Sequence, residues 1–334
     1  MKTHHYLGGG AIAALTCATI GTSTANAYES GYPGWALQPG IILGASAGTP
    51  PPGIYMFEQT FTAQQHIVGP GAPSVGGLPA PVRIASFAQG FLFVPGWTFL
   101  GATYNAVVVQ PVTMTEIGAP ANQQKNGFHN TYIVPAELSW KLGDSGFAVK
   151  TGLGIWTPDG STSLASGLGS VGNPWWTFQP ELFVSYLKDG WNLTAYFSEE
   201  FNTKNTLTNY KSGNVLHAEF TATKTIGKWT FGPVGYYVGQ VSDDTSSAYY
   251  RGLINTNRYN IWAAGGLVGY NFGPAALNVW AVDEFSASAS GGSPSFASAD
   301  GSTVVKGYKV FANLSFRIWA PEEPATPKRM PFYK

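Results

Sequence analysis

The chain has 334 residues, and its 18 basic and 18 acidic side chains leave it without formal net charge. This balance argues against a nucleic-acid partner, which usually needs a basic surface. Charged residues make up only 11% of the chain, well below the roughly 25% of soluble domains. No apolar stretch after residue 27 approaches the roughly 20 residues of a transmembrane helix. Low charge without such a helix favours a membrane protein built from strands.

The first 27 residues have the pattern of a secretory signal. A small apolar run from Leu7 to Ile20 is followed by a polar stretch that ends in Ala25-Asn26-Ala27. The run is too short to span a membrane, and the final residues form an A-x-A cleavage site. We therefore expect export with removal of residues 1–27. Cys17, the single cysteine, leaves with the signal, so the exported chain has no thiol chemistry.

Residues 28–53 are rich in glycine and proline and have no sustained period, so they are not predicted to form a strand throughout. Beyond them, twelve stretches alternate between apolar and polar residues with the period of a β-strand. The predicted strands are 54–66, 82–94, 97–109, 131–141, 147–156, 176–186, 191–200, 216–223, 229–241, 258–272, 275–285 and 307–319. Their apolar parity in the first strand contains Phe57 and Phe61, whereas the facing of the second and third stays undecided.

The connections between these strands alternate in length. Short turns such as 188–190 and 273–274 join strands within a pair, and long polar loops such as 157–172 join successive pairs. Because lipid cannot satisfy free backbone groups, strands cross a membrane only as a closed barrel. We predict an all-β fold, a transmembrane antiparallel β-barrel of about twelve strands over residues 54–319, with short periplasmic turns and longer extracellular loops. The predicted location is the outer membrane of a Gram-negative bacterium, with residues 320–334 as a Pro-rich periplasmic tail.

If the apolar parity of each strand contacts lipid, the polar parity lines the lumen. The lumen-lining candidates are Glu58, Glu137, Lys150, Glu181, Glu200, His217, Glu219, Lys309 and Arg317. Two interpretations stay open for them: opposite charges pair across the barrel and neutralise one another, or the charges orient a passing solute.

Tryptophans near the strand ends are expected to form girdles at the two membrane interfaces. The candidates are Trp140, Trp175, Trp176, Trp191, Trp229 and Trp319, with Trp97 and Trp262 as further members.

Motifs for catalysis or metal binding are weak. Gly167–Gly172 (GLGSVG) matches a dinucleotide fingerprint, but no helix follows it, and Gly143–Gly146 (GDSG) suits a hairpin turn better than a serine nucleophile. The histidines His66, His129 and His217 lack the spacing of a zinc site. We expect neither a cofactor nor a metal.

Several short motifs together resemble one outer-membrane family, which is named for the meta-pathway of phenol degradation. They are PPPGIYMF at 50–57, PAELSW at 135–140, TPDG at 157–160, GNPWWTFQPE at 172–181, YKSG at 210–213 and GPVGYYVGQVSDD at 232–244. The resemblance implies barrels that act as channels for hydrophobic solutes, with a branch that resembles exporters of amyloid subunits and carries an N-terminal coiled-coil plug. The segment before residue 54 has no heptad repeat, so the chain departs from that branch.

A barrel of eight strands is filled by its own side chains, and one of 16 to 18 holds an open channel. A twelve-stranded barrel lies between these sizes. We therefore expect a narrow or gated channel for passive passage of small, aromatic or hydrophobic solutes, with the lipid bilayer as its other partner. The alternatives are a secretion pore for a polypeptide, a barrel enzyme that acts on lipid through His217, and a non-conducting barrel whose loops bind partners. The solute, the direction of transport and formation of a homo-oligomer stay open.

Because residues 28–53 are apolar yet irregular and precede the first strand, we hypothesise that they fold into the barrel mouth as a short plug. Their deletion is then expected to raise the single-channel conductance of the purified protein in planar bilayers. An unchanged conductance would remove the hypothesis.

Overall fold

The computed structural model describes residue 29 and residues 31–163, 170–295 and 298–322. The predicted signal and almost all of the predicted tail lie outside these residues. Among the residues described, no helix is long and apolar enough to cross a membrane.

The described chain forms sixteen strands and one turn of 3-10 helix at Ala248–Tyr250. In chain order the strands are β1 (Gly53–Val68), β2 (Ser74–Val75), β3 (Leu78–Pro79), β4 (Pro81–Val94), β5 (Thr98–Phe99), β6 (Ala102–Ile117), β7 (Gln123–Phe128), β8 (Tyr132–Lys141), β9 (Phe147–Trp156), β10 (Thr177–Tyr186), β11 (Trp191–Asn202), β12 (Val215–Ile226), β13 (Trp229–Gln240), β14 (Arg258–Asn271), β15 (Ala275–Ser290) and β16 (Val304–Trp319).

Twelve of these strands form one closed antiparallel barrel. β8 to β16 each pair with the next strand, β16 pairs with β1, β1 with β4, β4 with β6, and β6 with β8. The small strands lie outside this ring: β2 and β3 form a hairpin, and β5 and β7 each pair with β6. The predicted all-β barrel of about twelve strands is confirmed.

Two predicted loops are wrong. β6 continues to Ile117 and pairs with β7, although the polar stretch 113–126 between two predicted strands is expected to be a loop from the sequence. β15 likewise continues to Ser290 and β16 begins at Val304, although the Ser/Gly/Ala-rich stretch 286–306 between the last two predicted strands is expected to be a loop from the sequence. Pairing persists because polar residues end the lipid-facing pattern without ending a strand, and outside the bilayer both faces of a strand can be polar.

The predicted girdle tryptophans mostly lie at strand ends. At the end with the short turns, Trp191 and Trp229 begin β11 and β13, and Trp319 ends β16, each between 42% and 54% exposed. Trp140 lies one residue before the end of β8, and Trp176 lies at the opposite end, just before β10.

The prediction that Trp175 belongs to an interfacial girdle is wrong, because this residue does not lie on the outer surface of the barrel. Its side chain is only 1% exposed, its ring packs edge-on against Tyr32, and its Nε1 donates to Oδ1 of Asn202 at 3.2 Å. Trp175 lies two residues before β10 and is buried like Thr177, the first residue of that strand, whereas Trp176 between them is 42% exposed. Trp175 therefore faces inward while Trp176 faces outward.

Candidate solute pathway

Residues 31–52 lie inside the barrel and are held there by two glutamates. The Glu200 carboxylate accepts hydrogen bonds from the backbone N–H groups of Ala36 and Leu37 at 3.1 and 2.8 Å. The Glu219 carboxylate accepts from the N–H groups of Gly40 and Ile42 at 2.8 and 3.2 Å. Both glutamates therefore satisfy irregular backbone that has no secondary-structure partner.

The same pattern continues towards the periplasmic end. The Gly44 N–H donates to Oγ1 of Thr221 at 2.9 Å, and the Ala47 N–H donates to Oγ of Ser185 at 2.8 Å. The barrel wall also donates to the segment, because Nε1 of Trp280 donates a hydrogen bond to the Gly40 carbonyl at 2.8 Å. The segment thus runs along the lumen from the level of the long loops to the start of β1, well beyond the barrel mouth.

Glycine is required at Gly40. Its φ of +90° lies in the region that favours glycine, and an added Cβ would lie 2.9 Å from Cε1 of Tyr236. The backbone of residues 31–52 therefore approaches the barrel wall closely at this point.

A second charged group in the lumen is fully neutralised. The Lys309 ammonium lies 2.8 Å from Oε1 of Glu284, and both side chains have no solvent exposure. Lys309 also donates to the Tyr236 hydroxyl at 2.9 Å, while Nε2 of Gln65 donates to Oε2 of Glu284 at 2.7 Å. Such a pair is retained because each charge has its opposite and further hydrogen bonds beside it.

A third polar group lies near the periplasmic ends of β6, β8 and β9. The Lys150 ammonium lies 3.3 Å from Oε1 of Glu137 and 4.1 Å above the ring of Phe183. Asn105 donates its amide hydrogen to Glu137, and the Tyr132 hydroxyl donates to Glu181. These charges are paired or hydrogen-bonded, which favours the structural interpretation of the lumen charges.

Between residues 31–52 and the wall formed by β1, β4 and β6 is a cavity of about 570 Å³. Its lining is mostly apolar and includes Phe57, Phe61, Ile84, Ala88, Val107 and Val109. It extends from Asn105, near the periplasmic end of β6, to Ile117 at the other end of that strand. The lumen is therefore divided into a polar sector that holds residues 31–52 and an apolar sector that stays free along the height of the barrel.

The predicted lumen residues mostly face inward. Glu137, Lys150 and Glu181 line the cavity, and the remaining buried members lie in the polar sector, which contains Glu200, His217, Glu219 and Lys309. Arg317 has the parity of Lys309 on β16 but is exposed at the periplasmic end.

The prediction that Glu58 lines the lumen is wrong. Tyr55, Phe57 and Gln59 line the cavity, so Glu58 between them points to the outside of the barrel. The prediction assumed that apolar residues always face lipid, and it is wrong on β1 because the lumen beside β1 is itself apolar.

Two inward residues were missed from the sequence. Glu284 lies near the end of its predicted strand, where the alternation is weak. It is two residues after Val282 and four after Trp280, so it points to the same inner face as these two buried residues. Asn105 belongs to a stretch with apolar residues at both odd and even positions, so the sequence does not indicate which of its side chains face the lumen.

The catalytic and metal motifs have structural roles where they are described. The Ser145 hydroxyl donates to the Leu142 carbonyl at 2.6 Å within the hairpin turn between β8 and β9. His217 is buried in the lumen, where its Nε2 lies 2.9 Å from Oε1 of Glu200. Most of 167–172 lies outside the described residues. No group of three potential metal ligands occurs in the part of the chain that the structure covers.

The extracellular loops close over buried acids. The Asp244 carboxylate accepts from the Gly213 N–H and from Nε2 of Gln240, both at 2.7 Å, and from the Tyr210 hydroxyl. Burial raises the pKa of Asp244 to about 6. Glu29, at the outer end of the lumen, accepts from Nδ2 of Asn205 at 2.8 Å, and burial also raises its pKa.

A family match extends over most of this architecture. The family described as "Putative MetA-pathway of phenol degradation" matches residues 55–294, from β1 to just beyond β15. The protein belongs to this family. None of the curated proteins matches its sequence.

One solved structure supports the fold of this family member, and two others are more weakly similar. An outer membrane channel from Pseudomonas putida F1 has a TM-score of 0.63 at 9% identity, over 84% of this chain and 99% of that one. The β-domain of the Bordetella autotransporter BrkA has a TM-score of 0.44 at 12% identity, over 80% of this chain and 100% of that one. A mutant of TodX, a monoaromatic hydrocarbon channel, has a TM-score of 0.44 at 10% identity, over 87% of this chain and 98% of that one. The first similarity shows the fold of a closed β-barrel, and the two weaker ones carry no argument.

Replacing Lys309 by Met is expected to lower the free energy of unfolding by about 3 kcal/mol, because it leaves the buried Glu284 carboxylate without its cation. Lys306→Met, on the opposite face of β16, is the control and should change it by less than about 0.5 kcal/mol. Denaturant unfolding of the barrel in detergent, followed by tryptophan fluorescence, measures both. Equal losses in the two variants would contradict the importance of the pair.

Asp244 is expected to make the stability of the loops depend on pH. The pKa of Asp244 is raised to about 6 in the folded protein. As the pH rises, the carboxyl of the unfolded chain therefore loses its proton first, and that of the folded protein loses it only near pH 6. The contribution is full below the ordinary pKa of an aspartate and is lost as the pH rises through about 6.

The unfolding free energy of the wild type, relative to that of Asp244→Asn, should therefore fall by about 2 kcal/mol between pH 4 and pH 7. Glu29→Gln, assayed in parallel, separates the contribution of the neighbouring acid. A difference between wild type and Asp244→Asn that stays constant over this range would contradict the prediction.

Proposed function

We propose that the protein is a passive channel for small hydrophobic molecules, aromatic ones included. The observation that carries the proposal is the apolar sector of the lumen, which runs beside residues 31–52 along β6 from Asn105 to Ile117. A hydrophobic solute gains nothing from a water-filled pore but can pass along apolar walls. The description of the family refers to phenol degradation, which makes aromatic solutes the first to test.

The charges of the lumen support this proposal. Glu200 and Glu219 are engaged by the backbone of residues 31–52, and Lys309 is engaged by Glu284. The charges that face the free sector are also engaged, because Lys150 pairs with Glu137 and the Tyr132 hydroxyl donates to Glu181. The path should therefore repel apolar solutes less than a porin lumen with unpaired charges would. In this proposal residues 31–52 act as a plug that fills the polar sector and leaves a narrow route.

The alternatives have less support. A secretion pore needs room for a polypeptide, whereas residues 31–52 already occupy part of the lumen. A lipid enzyme using His217 needs this residue at the lipid surface, but its side chain is buried inside the barrel.

A matched pair of substitutions on β6 tests the route. Val107 lines the cavity, and Val108 points outward, where it pairs with Phe91 of β4. Val107→Trp is expected to reduce uptake of phenol and toluene into proteoliposomes by about fivefold, because the indole narrows the apolar sector. Val108→Trp should leave uptake unchanged.

Circular dichroism and heat-modifiable migration in gels check that both variants are folded barrels. Equal uptake by folded Val107→Trp and Val108→Trp barrels would contradict the proposed route.

A further inference from the structure

The outer face of β1 is unusually polar for a membrane strand. Its outward residues include Glu58, Thr60, Thr62, Gln64 and His66, whereas its inward residues include Phe57 and Phe61. The neighbouring strand β16 has the ordinary pattern, with Val310, Leu314 and Phe316 on its outer face. β1 is therefore inverted relative to its neighbour, with its polar side towards the bilayer.

Glu58 lies within the height of the bilayer. Four residues below it on β1 is Ile54, which pairs with the girdle residue Trp319, and six residues above it is Gln64, which pairs with Tyr308. With a rise of about 3.3 Å per residue, Glu58 is roughly 13 Å along the strand from the lower girdle. Lipid headgroups do not reach this depth, so they cannot solvate the carboxylate.

Glu58 also lacks a partner within its own chain. Among the described residues, no hydrogen bond or ion pair satisfies its carboxylate. Its cross-strand neighbours are Leu314 and Gln89, and Nε2 of Gln89 is only 3.5 Å from the sulfur of Met56. A weak sulfur acceptor leaves the amide of Gln89 free to donate a stronger hydrogen bond.

We propose that the outer face of β1 and β4 is the contact surface for a second copy of this chain. Copies in one membrane have the same orientation, so a two-fold axis along the membrane normal brings together residues of the same level. An axis between β1 and β4 places Glu58 of each copy opposite Gln89 of the other. The amide then donates to the carboxylate twice, once in each direction.

A second copy fits this surface better than other occupants. Glu58 is an acceptor and Gln89 carries donors, and because they are direct cross-strand neighbours the surface is complementary to itself. Phe87 and Phe91 lie on the outer face of β4 beside this pair and supply apolar packing around it. The dimer thereby removes an unpaired carboxylate from lipid, where it is unfavourable.

Disulfide crosslinking in native outer membranes tests the dimer. Since the only natural cysteine is Cys17 in the predicted signal, Glu58→Cys and Gln89→Cys are introduced in separately tagged copies and co-expressed. A disulfide requires the two Cβ atoms to lie about 4 Å apart. We expect an oxidised species with the mass of two chains that carries both tags.

The control replaces the partner copy by one with Phe197→Cys, which is on the outer face of β11, about half a turn around the barrel. It should give no crosslinked species.

The absence of the mixed disulfide in membranes that contain folded barrel would overturn the proposal, and so would equal crosslinking to Phe197→Cys. A crosslink of Glu58→Cys to an unrelated protein in place of the second copy also overturns it.

Discussion

Irregular backbone can lie at membrane depth only where protein groups take up its hydrogen bonds. Residues 31–52 meet this condition through the side chains of the barrel wall, of which Glu200 and Glu219 accept four backbone N–H groups. The carboxylates are tolerated in the lumen because they receive these hydrogen bonds, and the segment is tolerated because it finds the carboxylates. Each of the two features therefore supplies the hydrogen-bond partners that the other needs.

This mutual dependence explains the division of the lumen. The polar wall attracts the segment to one side, and the side chains opposite it are left without polar partners to satisfy. Phe57, Ile84 and Val107 can therefore be apolar although they face the interior of a membrane barrel. The free path is a consequence of where the backbone of the segment is held.

The sequence predicts the barrel well because strand length, alternation and turn spacing are local properties. For β9, the predicted range coincides with the observed Phe147–Trp156. Facing is less local, because it depends on what lies on each side of the wall. The sequence predicts that Glu58 faces the lumen only if the lumen is polar throughout. Residues 31–52 occupy the polar side, and the lumen beside β1 is apolar. The orientation of Glu284 and of Trp175 is hard to predict for a related reason. Both lie where the alternation of apolar and polar residues ends, so the sequence does not indicate that they face inward.

The position of residues 31–52 also bears on the order of assembly. β1 and β16, the first and last strands, form the seam at which the sheet becomes a cylinder. We expect that the segment, which is hydrogen-bonded to the inner faces of β11 and β12, is put in place while the sheet is still open. Pairing of β1 with β16 would then close the barrel around it.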